Sequence, residues 1–411
     1  MGDTRPRPLP LGVAANEGRT RFGLVILLWA AGLGAAAQYG KVAVIYDLLP
    51  DLYPGQGAAL GWAVSLVGLV GIALGVAAGV AVSSLGLRRA LLVGLAGGAL
   101  LSALQALAPP FAAFLALRVI EGAFHLAIVV AAPTLIALLS APRHRPLTLA
   151  LWGTFFGVAF ALIAALGLPL AGTHGVPALF AAHAAWMAVS AVSVWALVPP
   201  DAPASDPASP SASPSASPST WPTLGMLFAQ MARIYRSPRI GAPAIGWVFY
   251  TFSFISFLAL VGPLLPEGAR AATVAAMPLV AIGTSLMPGV ALIRRLSAVR
   301  TQQIGFVASA SCCLALLAAP GSPALCLAWA AAMGLVQGAG FAAVPELNAA
   351  PADRALANGG LAQAGNIGNT LGVPVLAAGL AAFGPPGLFL PLAAALALGA
   401  LTQSALARAR G

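Results

Sequence analysis

The sequence predicts an all-α membrane protein with twelve transmembrane helices in two six-helix bundles. Of the 411 residues, 60% are hydrophobic and only 7% are charged, whereas a soluble domain carries about 25% charged residues. Apolar runs near the ~20 residues that a spanning helix needs recur from end to end. A chain with so few charged side chains cannot cover a surface in water, so its solvent is lipid.

The apolar runs give the limits of the individual spans. The twelve predicted spans are residues 23–49, 58–83, 90–108, 112–139, 147–172, 176–198, 240–264, 272–293, 302–319, 323–345, 357–381 and 386–406. The pattern lacks the alternating ten-residue strands of an outer-membrane barrel. Helices are therefore the expected spanning elements.

The arginines test both the number of spans and their orientation. With twelve spans, almost all arginines of the folded part fall on one side, together with both chain ends. This set is Arg5, Arg7, Arg19, Arg21, Arg88, Arg89, Arg143, Arg145, Arg233, Arg236, Arg239, Arg294, Arg295, Arg300, Arg354, Arg408 and Arg410. The other side holds only Arg270, beside Glu267. By the positive-inside rule, we expect an inner (plasma) membrane protein with cytoplasmic N- and C-termini.

A segment rich in proline, serine and alanine divides the chain into two halves. Such a composition cannot bury enough apolar surface to fold. We therefore expect a cytoplasmic tail at 1–21, a first bundle at 22–198, a cytoplasmic linker at 199–239 and a second bundle at 240–407.

The last part of this linker carries apolar residues at helical spacing, followed by arginines. They are Leu224, Leu227, Phe228, Met231, Ile234 and Tyr235. This pattern favours a short amphipathic helix on the inner membrane face, although a plain continuation of the linker is the alternative.

The two halves resemble each other weakly at equivalent places. The segment Ser83 to Ala90 after span two corresponds to Arg294 to Thr301 after span eight, and Arg118 to His125 in span four corresponds to Gly334 to Phe341 in span ten. Parallel repeats of this kind are typical of transporters whose site lies between the halves.

With this layout, the chain resembles the major facilitator superfamily of secondary transporters. In the loop after span two, Gly79, Gly86, Arg88 and Arg89 match the family motif, while serines stand where the family has an acid and its first arginine. The resemblance implies a conformational-switch loop at these four residues and transport by alternating access. It leaves open whether a latch between the halves works without the acid.

A second motif match lies in span four, where Arg118 and Gly122 fit the family's Arg-x-x-x-Gly core. In proton-coupled relatives this arginine is associated with coupling. Glu121 and His125 follow Arg118 at i+3 and i+7, so the three side chains share one helical face. We expect Arg118, Glu121 and His125 to form a coupling group in which Glu121 and His125 exchange protons. The alternative is a polar network that only fixes helix packing.

Lys41 is the only lysine of the chain and lies inside the first apolar run, beside Gln38 and Tyr39. A charge at this depth costs roughly 2.5–3.5 kcal/mol on insertion scales, so it needs a partner or a wet cavity. We expect Lys41 to contact an anionic substrate or a buried acid, with Gln38 and Tyr39 among the substrate-binding residues. Snorkelling of Lys41 to the outer surface is the alternative.

Span eleven carries amides on one face, including Gln363 and Asn366, and a stripe of glycines on another. The glycines favour close helix packing. The amides are predicted to bind substrate in a central cavity, which this span borders in related transporters, or else to join helices. Tyr250 in span seven is a further substrate-binding candidate.

Other function classes find no support in the residues. The arginines are scattered rather than gathered on one basic face, which argues against nucleic-acid binding. No phosphate-binding loop, zinc-spaced ligands or catalytic nucleophile is recognisable, so we expect no enzyme activity, no cofactor and no metal.

The sequence therefore predicts a monomeric, proton-coupled secondary transporter of a small polar or anionic organic solute in the lipid bilayer. A drug or metabolite exporter of the same fold remains a second possibility, and a non-transporting membrane sensor a third.

Overall fold

The computed structural model describes residues 19–201 and 224–410. Within these residues the chain is helical and has no β-strand. Eleven helices are long and apolar enough to span a membrane, and one bent pair makes a twelfth. The helices are α1 Phe22–Ala43, α2 57–85, α3 Leu87–Gln105, α4 Phe111–Leu139, α5 145–174, α6 Val176–Leu197, α7 Gly241–Leu260, α8 Glu267–Arg295, α9 Ala298–Ala318, α10 Pro323–Leu347, α11 Pro351–Phe383 and α12 Pro385–Ala409. The predicted fold class is confirmed.

Three of these helices are interrupted. Helix α2 bends by 47° between Ser65 and Val67. Helices α5 and α8 each contain one π-helical turn, at Ile163–Gly167 and Ser285–Gly289. A proline lies within or just after each π turn, since its missing N–H and bulky ring break regular α-helical bonding.

Several helix limits differ from the predicted ones, among them the start of α11 at Pro351 instead of residue 357, and two of the differences show the physical reason. Helix α1 ends at Ala43, and short helical turns at Tyr46–Leu48 and Leu49–Leu52 replace the predicted end at residue 49. Helix α8 begins at Glu267 instead of residue 272. In both places the limit of the apolar run differs from the limit of the helix. Hydrophobicity indicates which residues face lipid, whereas backbone hydrogen bonds determine where a helix begins and ends.

The helices run alternately between two sides of the molecule. On the terminal side, where α1 begins and α12 ends, the Arg21 amide donates to the Leu139 carbonyl (3.1 Å) and Arg410 Nη1 donates to the Pro238 carbonyl (2.9 Å). On the opposite, distal side, Arg270 forms an ion pair with Asp47. This pair joins the first half, α1–α6, to the second half, α7–α12.

The two halves meet mainly where α2 packs against α11 and α5 packs against α8. Glycines set how closely α2 and α11 approach. A Cβ added at Gly61, near the distal end of α2, would lie 2.8 Å from Pro374 Cα, whereas one added at Gly75 would meet no atom within 4 Å. Added Cβ atoms at Gly68 and Gly71 would also overlap α11, at 2.3 Å in both cases. The close contact therefore runs from the distal end to the middle of α2 and does not reach Gly75.

The predicted amphipathic helix is present at Leu224–Arg236 and packs on α7 and α11. Ile234 is buried, and Arg233 pairs with Asp353 at 3.0 Å. We refer to this element as the linker helix. The rest of the predicted proline-rich linker, residues 202–223, and most of the N-terminal tail lie outside the described residues.

Candidate functional site

Lys41 lies near the distal end of α1, and its side chain is completely buried. Its ammonium donates hydrogen bonds to Glu121 Oε1 on α4 (2.7 Å) and to Ser102 Oγ on α3 (2.6 Å). The side chain therefore points into the first half, where its partner is a buried acid. It does not snorkel to the surface in this structure.

Glu121 is the centre of the buried ion network. Its Oε1 accepts from Lys41, while its Oε2 accepts from Arg118 Nη1 and from Gln105 Nε2 (2.8 Å). Lys41, Arg118 and Glu121 are all fully buried. Two formal cations thus share one carboxylate, and the group keeps one excess positive charge in a low-dielectric setting.

Arg118 connects this network to the bend in α2. Its Nε donates to the Ala63 carbonyl at 2.7 Å. The bend interrupts regular backbone bonding in α2, so carbonyls before it need other donors. One turn further on, a Cβ added at Gly122 would overlap the Val67 carbonyl. The Arg-x-x-x-Gly motif of α4 therefore has two roles at this bend. Arg118 donates a hydrogen bond to it, and Gly122 has no side chain that would prevent α2 from packing closely.

A serine and a histidine extend the network to α6. His183 Nε2 lies 2.9 Å from the Gly34 carbonyl, which can only accept, so this nitrogen carries the proton. In the neutral ring, Nδ1 then accepts from Ser102 Oγ at 2.7 Å. Since Ser102 also accepts from Lys41, a continuous chain of hydrogen bonds runs from Glu121 through Lys41 and Ser102 to His183.

Ser102 and Gln105 are not among the predicted site residues, and His183, alone in span six, is not expected from the sequence to be functional. Ser102 and Gln105 are three residues apart in the apolar part of α3, so they face the same way. This spacing could have indicated a polar face on α3. For His183 only its isolated position in an apolar helix gave a hint, because its partners come from α1 and α3.

His125 shares a face of α4 with Glu121 but bonds to α1 instead. Its Nδ1 lies 3.0 Å from both the Ala35 carbonyl and Gln38 Oε1, and two acceptors require a donating Nδ1–H. The structure thus brings together Arg118 and Glu121, and separately Gln38 and His125. The direct Glu121–His125 exchange stays a prediction.

Tyr39 connects the ion network to the interface between the halves. Its ring packs edge-on against His125, with centroids 5.3 Å apart. Its buried hydroxyl faces Thr370 of α11 across Gly68, because a Cβ added at Gly68 would overlap Thr370 Oγ1 and lie 2.9 Å from the Tyr39 hydroxyl. Asn369, next to Thr370 on α11, also contacts α2, since its backbone carbonyl accepts from Ser65 Oγ at 3.2 Å.

Three polar atoms at this point of the interface are buried without a hydrogen-bond partner among the described residues. They are Tyr39 Oη, Asn369 Oδ1 and Thr370 Oγ1. Leaving a buried polar atom unsatisfied costs about 1–3 kcal/mol. A group of such atoms where the two halves meet is suited to hydrogen-bond a polar ligand.

The remaining predicted substrate residues lie at different places. Asn366 packs against Gly71 of α2, and its Nδ2 bonds to its own helix. Gln363 lies nearer the terminal side, where Tyr235 of the linker helix donates to Oε1 (3.1 Å) and Nε2 donates to the Ile72 carbonyl (3.3 Å). Gln363 therefore joins three elements and is not next to Tyr39.

Tyr250 lies in a column of aromatic rings in the second half. It stacks on Trp247 with centroids 4.5 Å apart and on Phe254 at 5.3 Å. Phe341, whose side chain is 47% exposed, continues the column toward the terminal side. The second half thus contains a largely buried column of aromatic rings, whereas the first half contains buried charges.

The predicted switch loop has an acid that the sequence motif lacks. Asp201, just after α6, accepts from the backbone amides of Arg88 (2.9 Å) and Arg89 (3.0 Å) at the start of α3. Gly86, with φ of 95°, leaves room for this carboxylate. Gly79 lies in the helix Val67–Leu85, and its surroundings are outside what the structure describes.

The second half repeats this arrangement. Glu346 at the end of α10 accepts from the Ala298 amide at the start of α9 (2.7 Å). In both halves a carboxylate from elsewhere in the chain therefore binds a helix N-terminus on the terminal side, which is electrostatically favourable.

Two six-helix halves that meet along α2–α11 and α5–α8, with buried charges beside the interface, define a multi-pass membrane transporter. The family model of the Major Facilitator Superfamily matches residues 22–266, and the chain belongs to this superfamily. Among solved structures, a crystal structure of a mutant of the nucleoside transporter NupG is similar in fold. The TM-score is 0.71 at 14% sequence identity, over 93% of this chain and 99% of that chain. A sequence comparison with curated proteins finds no match.

Proposed function

We propose that this chain is a proton-coupled secondary active transporter of a small polar or anionic organic solute in the inner membrane. The terminal side would be cytoplasmic, since nearly all the arginines are there. The observation that carries the proposal is the buried group of Lys41, Glu121 and Arg118, which holds excess positive charge beside the interface. Buried charges in a membrane protein are costly and typically mark ion or substrate pathways.

The proposed mechanism is alternating access, in which the halves rock about a site at mid-membrane depth. The closer packing of α2 and α11 on the distal side corresponds to a conformer closed on that side. Opening the distal side would separate Tyr39 from Thr370 and expose their polar atoms to solute.

Proton coupling is assigned to Glu121. With Lys41 and Arg118 in contact, the ionised carboxylate is electrostatically favoured. A shift of α1 relative to α4 would remove Lys41 and allow protonation. Ser102, which is hydrogen-bonded to His183, would still accept a hydrogen bond from the freed ammonium group of Lys41.

The solute would bind at Tyr39 and Asn366, which lie on opposite sides of the interface. Lys41 and Gln38, behind Tyr39, would favour an anionic group electrostatically, and Tyr250 would contribute an aromatic face from α7. The protein of the similar structure is named a nucleoside transporter. Nucleosides are polar solutes and should be among the solutes tested.

The test is a thermal-shift screen of the purified protein against anionic, cationic and neutral metabolites, followed by counterflow in proteoliposomes. We expect polar or anionic compounds to stabilise the protein and to exchange. Thr370→Val, which removes one unpartnered hydroxyl, should weaken both signals, whereas Thr173→Val at an exposed distal position should not. Absence of counterflow with every stabilising compound would contradict the proposal.

The aromatic column favours a second candidate, an exporter of larger, weakly polar compounds. Phe341, Trp247 and Tyr250 form a continuous surface that suits such molecules. This alternative predicts that replacing Lys41 changes transport little, whereas Trp247→Ala abolishes it.

A further inference from the structure

A cavity of about 340 Å³ lies on the terminal side of the second half, away from the interface between the halves. It is formed by the ends of α9, α10 and α12 and the start of α7. Its polar lining consists of Arg239, Ser297, Arg300, Gln303, Glu346 and Arg410. Three guanidinium groups and one carboxylate leave a formal excess of two positive charges.

The carboxylate and the serine are already engaged. Glu346 accepts from the Ala298 amide (2.7 Å), and Ser297 Oγ accepts from the Arg300 amide (3.1 Å). The N-terminus of α9 is therefore capped by the protein's own side chains. In the part of the chain that the structure describes, neither Arg239 nor Arg300 forms an ion pair with a carboxylate.

Two of these arginines, Arg239 and Arg410, are close enough to repel each other. Partial burial and the positive charge of Arg239 lower the pKa of Arg410, while Glu346 acts in the opposite direction. Arg410 is held in place by a hydrogen bond from Nη1 to the Pro238 carbonyl (2.9 Å). Bringing like charges together around an open cavity is unfavourable, and a bound anion would relieve the repulsion.

We propose that this cavity binds a phosphate-bearing anion. The planar guanidinium forms paired hydrogen bonds to phosphate oxygens, which makes arginine well suited to this group. Val299, Leu347 and Ala407 add apolar lining to the same cavity. Basic cavities at the ends of transmembrane helices typically bind anionic lipid headgroups, and a free phosphate has the same binding chemistry.

The experiment uses the full-length protein in a neutral detergent. Its unfolding midpoint is measured with added dioctanoyl phosphatidylglycerol, dioctanoyl phosphatidylcholine or inorganic phosphate at matched ionic strength. The test variant is Arg239→Gln/Arg300→Gln. The control is Arg294→Gln/Arg295→Gln, which removes the same charge on the same side but outside the cavity.

We expect phosphatidylglycerol to raise the midpoint by several degrees in the wild type and the control, and by less than half as much in the test variant. Phosphatidylcholine should have no effect. An equal, variant-dependent shift with inorganic phosphate would identify free phosphate as the source. No shift, or the same shift in the test variant, would overturn the site.

A second measurement does not depend on the variant being folded. Native mass spectrometry of the wild type from mixed phosphatidylglycerol and phosphatidylcholine micelles, with and without phosphate, should show retained phosphatidylglycerol or bound phosphate. Retention of both lipids in their bulk ratio, without phosphate adducts, would also overturn the proposal. Neither readout requires transport, so the result is independent of the proposed function.

Discussion

At the scale of single residues, Glu121 is the side chain on which the buried charges depend. It is the only acid in contact with both Lys41 and Arg118 among the described residues. Replacing it removes the compensation for two buried cations at once. Replacing Lys41 removes only one cation and leaves Glu121 paired with Arg118. The two substitutions therefore differ strongly in their expected cost.

This asymmetry predicts a double-mutant result. Glu121→Gln should lower the unfolding midpoint most, since breaking a buried pair costs about 3–5 kcal/mol. Adding Lys41→Met should raise the midpoint again, because it removes one of the two uncompensated charges. Thermal unfolding of the wild type, both single variants and the double variant measures the coupling. Additive losses would show that Lys41 and Glu121 do not interact in the folded protein.

Some of these residues could be predicted from the sequence and others could not, for a physical reason. Lys41, Arg118 and Glu121 stand out because a charge inside an apolar run is costly wherever it lies. Ser102 and His183 do not stand out, because a serine or a neutral histidine is tolerated in lipid. Only the packing of α3 and α6 against α1 brings them to Lys41.

At the scale of the helices, glycines decide which pairs of helices touch. Gly122 lets α4 approach the bend in α2, and Gly368 lets α11 approach α7, where an added Cβ would overlap the Val248 carbonyl at 2.5 Å. The predicted role of the α11 glycines in close packing agrees with this contact. The bend in α2 was not predictable, since its apolar sequence continues without interruption.

We predict that Gly122→Ala destabilises the protein by about 1–3 kcal/mol or more, as expected for overpacking against a backbone carbonyl. The matched control is Gly172→Ala in α5, where an added Cβ meets no atom within 4 Å. It should be neutral or stabilising, because alanine favours a helix by up to about 1 kcal/mol. Unfolding midpoints of both variants give the comparison. Equal effects would mean that α2 and α4 are not in close contact.

The helix limits illustrate what hydrophobicity can specify. The twelve spans follow from apolar runs, and the arginine distribution favours their even number. The start of α8 at Glu267 and the end of α1 at Ala43 depend on backbone bonding and proline positions instead. Similarly, the carboxylate that binds the start of α3 comes from Asp201, more than a hundred residues away in sequence.

At the scale of the whole molecule, contacts between the halves set the conformer. The Asp47–Arg270 ion pair and the close approach of Gly61 to Pro374 hold the distal side together. The two partners of each contact lie in opposite halves, so the proposed alternating access requires both contacts to break. Partly exposed ion pairs contribute up to about 1 kcal/mol, enough to shift a conformational equilibrium without holding it fixed.

We predict that Arg270→Gln increases access to the interface from the distal side. The reporter is Thr370→Cys in a background where Cys312, Cys313 and Cys326 are replaced by alanine. A loss of about 1 kcal/mol corresponds to roughly fivefold faster labelling by an impermeant thiol reagent. Glu267→Gln, an exposed change on the same helix turn, should leave the rate unchanged. Unaltered labelling in Arg270→Gln would indicate that this ion pair does not restrain the halves.

Accumulation driven by a proton gradient in proteoliposomes, with a solute identified by counterflow, tests whether Glu121 couples transport to protons. Wild type and Glu267→Gln should accumulate the solute when a pH jump is applied. Glu121→Gln should retain counterflow but lose the gradient-driven part. Full pH-driven accumulation in Glu121→Gln would show that Glu121 does not couple transport to protons.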